Sequence, residues 1–424
     1  MGRVTEPPAA RSPEPQPSAP GPASWPRFIV SAYGPTFLSS FGYGAVTPLV
    51  AFSALHLGAS VALSALITGL TGIGQIVGDL PASWVATKLG EKKAIALACL
   101  WDASWLAVAF FATSLTTLSL AVFCFGLSGS VFGLARQSYI TEAMPLKYRA
   151  RALSSLGGTF RIGGLVGPLA GSAIIAAWDL PAAYAFAAIM SLLAAVVTML
   201  LPDLPAAVTS RRGVHDGSNR LFHVLRAHLR VFATLGLGVF SVGFVRAVRQ
   251  TVLPLWCESI GLTAAQASLI YALSMALDVS MFFLGGLIMD RFGRMWVAVP
   301  SMVILGLGLA GLALTHHPWS IMVVAAIIGL GNGIGSGIIM TLGSDASPPV
   351  GRAQFLSGWR LSSDTGAALG PVALSGITTL ASLTVATVSL GLFGLVGAGW
   401  LGYWIRHSAA GHVHEVAGTA RNGT

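Results

Sequence analysis

The chain has 424 residues, 54% of them apolar and 9% charged, against roughly 25% charged in an average soluble domain. Stretches such as Ala182–Leu201 and Met302–Thr315 carry no charge at all, which excludes an ordinary water-soluble fold. The net charge of +9 would suit a nucleic-acid binder, but the placement of the basic residues argues for a membrane protein and no nucleic-acid partner is expected.

A membrane-crossing helix needs about 20 mostly apolar residues. Residues 1–26 come first, rich in Pro, Ala and Ser and without the apolar core of a signal peptide, and are expected to form a disordered cytoplasmic tail. Six apolar windows follow, at 27–55, 60–86, 94–113, 117–143, 152–177 and 182–202, making a first bundle over 27–202. A polar, basic linker over 203–229 leads to six more windows at 230–256, 264–289, 295–315, 319–344, 354–380 and 384–406. These fill a second bundle over 230–406, and residues 407–424 form a second tail.

Lys88, Lys92, Lys93, Lys147, Arg149 and Arg151 fall in two loops on one side of this arrangement, and Arg211, Arg212, Arg220 and Arg226 fall in the linker, with Arg230 at its end. Arg291, Arg294, Arg352, Arg406 and Arg421 share that side, whereas the opposite loops hold no Lys or Arg, only Asp179 and Glu258. Basic loops stay in the cytoplasm, so both termini and the linker are expected there, in a multi-pass protein of the plasma membrane. A basic surface facing anionic lipid follows.

The two bundles are copies. A shift of 203 residues lays Pro145, Arg149, Ala150, Leu153 and Ser154 on Pro348, Arg352, Ala353, Leu356 and Ser357. It also lays Gly90 on Gly293, and Gly163, Gly167 and Pro168 on Gly366, Gly370 and Pro371. Such a period is the length of six membrane helices and far too long for a solenoid repeat. Cys99, Cys124 and Cys257 are scattered, with no metal or disulfide spacing. The alternating Gly329, Gly331, Gly333, Gly335 and Gly337 lie inside an apolar window, where close helix packing explains them better than a nucleotide loop. No GxxxxGK[ST] segment occurs, so the chain carries no such nucleotide site of its own. No cofactor, metal site or catalytic residue is expected, and energy would come from an ion or solute gradient.

The segment from Gly286 through Asp290, Arg291 and Gly293 to Arg294 reads G-x-x-x-D-R-x-G-R. In that form, between two membrane helices, it resembles the loop motif of the major facilitator superfamily, and the helix count, the duplication and the basic linker resemble that family too. The resemblance implies an all-α membrane protein of twelve transmembrane helices in two pseudo-symmetric six-helix bundles. It also implies that Asp290 faces the N-terminus of the fifth helix near Arg149 and Arg151, where the helix dipole favours a carboxylate, latching the outward-open state. The first-half copy keeps Lys88 and Gly90 but has Thr87 in place of the Asp and Glu91 in place of a basic residue, which shifts the acidic latch to Asp290. Gly163, Gly167 and Pro168, repeated as Gly366, Gly370 and Pro371, resemble the fifth-helix motif associated with antiporters, although Ser172 and Ser154 stand where the family has glycine. Packing is an equal reading of these residues. The stretch around Arg136 to Leu153 is similar to bacterial drug:H+ antiporters, but the family's fourth-helix arginine is missing and Arg136 is a different one.

An ionisable side chain at bilayer depth marks a functional candidate, because an unpaired charge is costly there. Asp79, Asp102, Arg136, Arg161, Asp278, Arg360 and Asp364 fit that description. Family packing of helix five on eight, and of two on eleven, implies Arg161–Asp278 across one seam, with Arg360–Asp79 and Asp364–Gln75 across the other. Asp102–Arg136 would pair within the first half. Asp278 and Asp364, the deepest acids, are the expected proton carriers. Arg246 and Arg249 share a helix face deep in the seventh window and suggest a substrate anion site, or else bind backbone carbonyls or Asp278. Tyr33, Tyr43, Pro48 and Trp256 are cavity or gate candidates.

The expected function is secondary transport by two halves rocking about a midplane site, in a monomer with a small-molecule substrate, protons and the lipid bilayer as partners. Proton-coupled efflux of a small amphipathic drug or metabolite comes first. Proton-coupled uptake of a small anionic nutrient is the alternative, and a membrane-embedded transferase or transport-dead receptor lies further off.

Overall fold

In the computed structural model the described residues are 25–144, 146–200, 224–348 and 351–421, and every regular element among them is helical. The first half contains α1 (Trp25–Val46), α2 (Leu49–His56), α3 (Val61–Leu89), α4 (Glu91–Phe110), α5 (Leu115–Ala143), α6 (Leu146–Ala177) and α7 (Ala182–Met199). The second half enters through a π-helical turn, Phe232–Gly236, and continues as α8 (Leu237–Ser259), α9 (Ala264–Phe292), α10 (Met295–Leu312), α11 (Pro318–Ile334), α12 (Ile338–Ala346), α13 (Arg352–Leu380) and α14 (Leu383–Arg421). The Thr234 carbonyl in this turn accepts from the Leu237 backbone N–H and from Trp400 Nε1, the latter at 2.8 Å, tying α14 to the entry of α8.

Among the described residues, ten helical stretches are long and apolar enough to cross a bilayer, with α11 and α12 together as one of them. An eleventh is made by α1 and α2, which bend by 41° about Thr47 and Pro48. α13, 29 residues long, is not among these stretches, because Arg352, Arg360 and Asp364 make it the most polar of the long helices. The expected all-helical membrane architecture therefore holds.

Helix ends explain why the chain turns where it does. On the charge-poor face, Ser60, Ser114 and Thr263 cap α3, α5 and α9 by accepting from the backbone of Leu63, Thr117 and Gln266. Thr263 and Gln266 form a reciprocal capping box. On the basic face, α3 and α9 end at Gly90 and Gly293, with φ of 77° and 92°. A side chain is strained at such φ, so glycine lets the chain reverse within one residue.

Within each half the glycines set the packing. Gly163 of α6 lies against Ser40 and the Phe37 carbonyl of α1, and Gly167 lies against the Phe41 carbonyl. In the second half Gly366 of α13 lies against the Phe240 carbonyl of α8, and Gly370 against that of Phe244. Phe37 and Phe41 become Phe240 and Phe244 under the 203-residue shift, so the duplication repeats at the level of individual helix contacts. The Gly329–Gly335 run also resolves into packing. Gly329 and Gly333 meet the Ser274 and Asp278 backbone of α9, while Gly331 and Gly335 meet Ile304 and Ser301 of α10.

The halves touch along two seams. At the α3/α13 seam, Gly69 lies on Pro371 and Gly72 on Ala368. At the α6/α9 seam, Arg161 meets Asp278 and Ser172 Oγ donates to the Ala265 carbonyl. Both sets run from mid-depth toward the charge-poor face. There Ala51, Phe52 and Ala65 of the first half belong to one buried cluster with Leu255, Trp256 and Leu262 of the second. The molecule is thus sealed on the charge-poor face.

Candidate functional site: a carboxylate shared across the seam

The α6/α9 seam is organised by Asp278, which is 4% exposed. Its Oδ1 accepts from Arg161 Nη1 of the opposite half at 2.7 Å, with Ser336 Oγ at 3.4 Å. Its Oδ2 accepts from Asn332 Nδ2 at 2.7 Å, and Arg249 Nη1 lies 4.0 Å away. The Arg161 guanidinium also sits over the Phe282 ring, 4.9 Å from its centroid. Burial on this scale requires a paired and hydrogen-bonded carboxylate, and each Asp278 oxygen receives a donor.

Local sequence explains why those donors converge. Asn332 and Ser336 are four residues apart across the end of α11, so both reach the Asp278 side of α9, which approaches closely because Gly333 presents no Cβ. At the break between α11 and α12 the Gly335 carbonyl accepts only a turn hydrogen bond from Ile338 N, at 3.1 Å, and Arg246 Nη2 donates to it at 2.7 Å. A cation is favoured at a helix C-terminus, so the glycine-rich break itself forms the Arg246 site. Arg249, one turn further along α8, is 1% exposed and touches Met275 Sδ at 4.0 Å. Arg246 thus engages a backbone carbonyl and Arg249 lies beside Asp278, the contacts given as the alternative to a substrate anion site. Arg246 Nε and Arg249 Nη1 nevertheless have no hydrogen-bond acceptor.

Three expected pairs are not seen among the described residues. Arg360 Nε pairs with Asp364 Oδ2 at 3.3 Å within α13, rather than with Asp79. The i,i+4 spacing brings those two together without any help from the other half. Asp364 is thereby engaged within its own helix, and the Gln75 backbone carbonyl accepts from Ser130 Oγ at 2.6 Å. Asp102, buried in α4, accepts from Ser128 Oγ of α5 rather than from Arg136. Arg136 instead lies over the Phe132 ring, 5.3 Å from its centroid. A hydroxyl one helix away reaches Asp102 with less side-chain ordering than a long guanidinium does. Asn332, Ser336 and Ser128 were not picked out as partners from the sequence, although an amide inside an apolar window was a usable signal.

At the basic face the expected latch is open. Asp290 is exposed and makes no hydrogen bond or ion pair among the described residues, and Arg149 Nε is without a partner. The reason is geometric, because α6 and α9 are joined from Arg161–Asp278 toward the opposite face. Arg294 is bonded twice to Asp345, at 2.7 and 3.3 Å, within its own half. That hydrogen bond and charge hold the Arg294 guanidinium above its usual basicity. Arg291 lies over Phe292 and Lys88 over Trp84, while Gly286 has open space around it. Tyr33, expected near the cavity, donates to the Ala152 carbonyl of α6 at 3.3 Å.

Between the seams a cleft of about 630 Å³, open solvent included, is lined from both halves. Tyr43 and Phe125 form one wall, stacked at 5.7 Å with an interplanar angle of 20°. Thr47, Thr71, Gln75 and Gln250 supply hydrogen-bonding groups, and no charged side chain lines it.

The family model described as Major Facilitator Superfamily matches residues 35–244 and again 235–421. No curated protein matches the sequence. Among solved structures, a variant of the nucleoside transporter NupG is 15% identical with a TM-score of 0.72, covering 88% of this chain and 98% of its own. A variant of the peptide transporter POT in complex with alafosfalin is 14% identical with a TM-score of 0.73, covering 90% and 94%. A POT family transporter in complex with 5-aminolevulinic acid is 14% identical with a TM-score of 0.70, covering 88% and 94%. At such identities the likeness is one of fold, and it joins the doubled family match and the duplicated, seam-linked bundles. The chain belongs to the major facilitator superfamily of membrane transporters.

Proposed function

We propose that this protein is a proton-coupled exporter of a small amphipathic compound, working by alternating access. The observation that carries this reading is the cleft between the halves. Stacked Tyr43 and Phe125, faced by threonine and glutamine side chains and no charge, suit a solute with an apolar ring and a few hydrogen-bonding groups. The basic face is read as cytoplasmic. Sealing of the opposite face and the unlatched Asp290 then correspond to a state open to the cytoplasm, which loads an exporter. Asp278 and Asp364 are the acids assigned to proton exchange. Asp278 would change partners if α6 and α9 separated, since Arg161 belongs to the other half. The protein is read as a monomer of the plasma membrane.

A second reading, proton-coupled uptake of a small anion, is favoured by Arg161, Arg246 and Arg249 standing around the single Asp278 carboxylate. The solutes named for the structurally similar carriers, a nucleoside, alafosfalin and 5-aminolevulinic acid, are of a size that fits either reading. Membership in a transporter family favours transport over the transferase alternative.

The test is transport by the full chain in proteoliposomes with an imposed pH gradient, screened against neutral amphipathic and anionic solutes. Export is supported if solute moves against the proton flow. Solute moving with protons into the vesicle, confined to anions, would establish the second reading in its place.

A further inference from the structure

The cleft and the seams leave one feature unused, a groove of about 820 Å³ between α10 and α14 at the basic face. Deeper in the membrane these helices are in close contact, with Gly391 against Gly306. Toward the basic face the contact narrows to Val299, whose Cγ2 lies 3.0 Å from where a Cβ on Gly402 would stand. Gly399 has nothing within 4 Å of where a Cβ would stand, so the groove floor is bare backbone. Trp296 and Tyr403, 60% and 57% exposed, flank it with the apolar body and polar tip expected at a membrane interface.

The groove has a charged end. Arg406 stands at its mouth, exposed and with no hydrogen bond or ion pair among the described residues. His407 is held beside it, its ring 4.1 Å from that of Tyr403 and its Nδ1 donating to the Tyr403 carbonyl at 2.7 Å. No Asp or Glu lines the groove. α10 starts at Met295, just past the Gly293 turn, so the apolar floor descends from the interface into the bilayer while Arg406 stays at headgroup level.

We propose that this groove is a binding site for a phospholipid with an anionic headgroup, drawn from the leaflet at the basic face. One acyl chain lies along Gly399 between Trp296 and Val299, and the phosphate meets Arg406. A zwitterionic headgroup fits less well, because its cation would face Arg406 and His407 with no carboxylate to receive it. Basic pockets between membrane helices select anionic lipids by this means. The proposal concerns lipid and stands whatever solute the central cleft carries.

The experiment uses the purified full chain in detergent, with native mass spectrometry and thermal melting as readouts. Short-chain phosphatidylglycerol is compared with phosphatidylcholine of the same chain length and with inorganic phosphate. Phosphatidylglycerol is expected to be retained and to raise the melting temperature, with phosphatidylcholine at least about fivefold weaker and phosphate without effect. Arg406→Gln should lower phosphatidylglycerol affinity by about fivefold, to the level of phosphatidylcholine, with lipid-free melting unchanged. Gly399→Leu, which grows into open space, should block retention of phosphatidylglycerol altogether. Equal binding of the two lipids, a full effect from phosphate alone, or wild-type retention by Gly399→Leu would each overturn the proposal.

Discussion

Arg161 and Asp278 meet at 2.7 Å across the seam between the two halves, and the same carboxylate serves Arg249 at 4.0 Å. One anion thus compensates two cations, of which Arg249 is nearly inaccessible, with a side chain 2% exposed, and Arg161 less so, at 22%. Removing the acid is therefore worse than removing either base. Asp278→Asn is expected to lower detergent melting temperature more than Arg161→Gln does, because breaking a buried pair costs about 3–5 kcal/mol when a charge is left behind. Transport should fall at least about tenfold in Asp278→Asn, a loss of roughly 1.4 kcal/mol in the barrier. Charge reversal of both residues should not restore it, since an arginine at 278 would face Arg249. Greater damage from Arg161→Gln would show that the carboxylate is not the common partner.

The glycines of α6 separate cleanly by what surrounds them. A Cβ on Gly167 would stand 2.5 Å from the Phe41 carbonyl and 2.6 Å from the Ala45 nitrogen, both backbone, whereas Gly158 has nothing within 4 Å. Gly167→Ala should cost about 1–3 kcal/mol by overpacking. Gly158→Ala should be neutral or stabilising by up to about 1 kcal/mol, from helix propensity. Denaturant or thermal unfolding of the two variants side by side checks this, and equal effects would contradict it.

At the other seam, a Cβ on Gly69 would come within 2.8 Å of the Pro371 Cβ. Gly69→Val should push α3 from α13 and unseal the charge-poor face. A cysteine introduced at Thr68 should then react faster with an impermeant thiol reagent added from that face than it does in the wild-type background. Unchanged labelling would mean that the seam tolerates the added bulk.

The Arg294–Asp345 pair is bidentate but 40% and 47% exposed, and exposed pairs contribute about 0–1 kcal/mol. Asp345→Asn should therefore shift melting only slightly, and less at high salt. Asp345 holds the Arg294 pKa above its ordinary value, so while the carboxylate is ionised the guanidinium's contribution persists through neutral pH and fades only in strong alkali. Between pH 6 and pH 9 the difference between wild type and variant should be flat, a range chosen on roughly the ordinary carboxylate and guanidinium pKa values. A steep slope there would implicate another group.

Membrane residence, duplication and family were legible in the chain itself. Apolar windows, a 203-residue register and the Gly286–Arg294 loop are local patterns, and bilayer physics leaves a chain of that kind little choice but a helical bundle. Even the alternating glycines of α11 were readable as packing residues, because a missing Cβ has one physical use inside an apolar helix.

Which charge meets which was a different matter. Arg161–Asp278 could be named from helix adjacency, yet Arg360 closed on Asp364 in its own helix, and Asp102 settled on Ser128. Long side chains reach several partners at similar cost, so differences of an ångström in helix placement decide among them. Asn332 and Ser336 joined Asp278 only because a helix break and Gly333 bring α11 against α9, which no linear spacing states. Sequence determined the lipid-embedded, doubled scaffold through local periodicity and composition. Tertiary packing alone decided the shared carboxylate, the uncharged cleft and the sealed face, since each depends on residues more than 50 positions apart coming into contact.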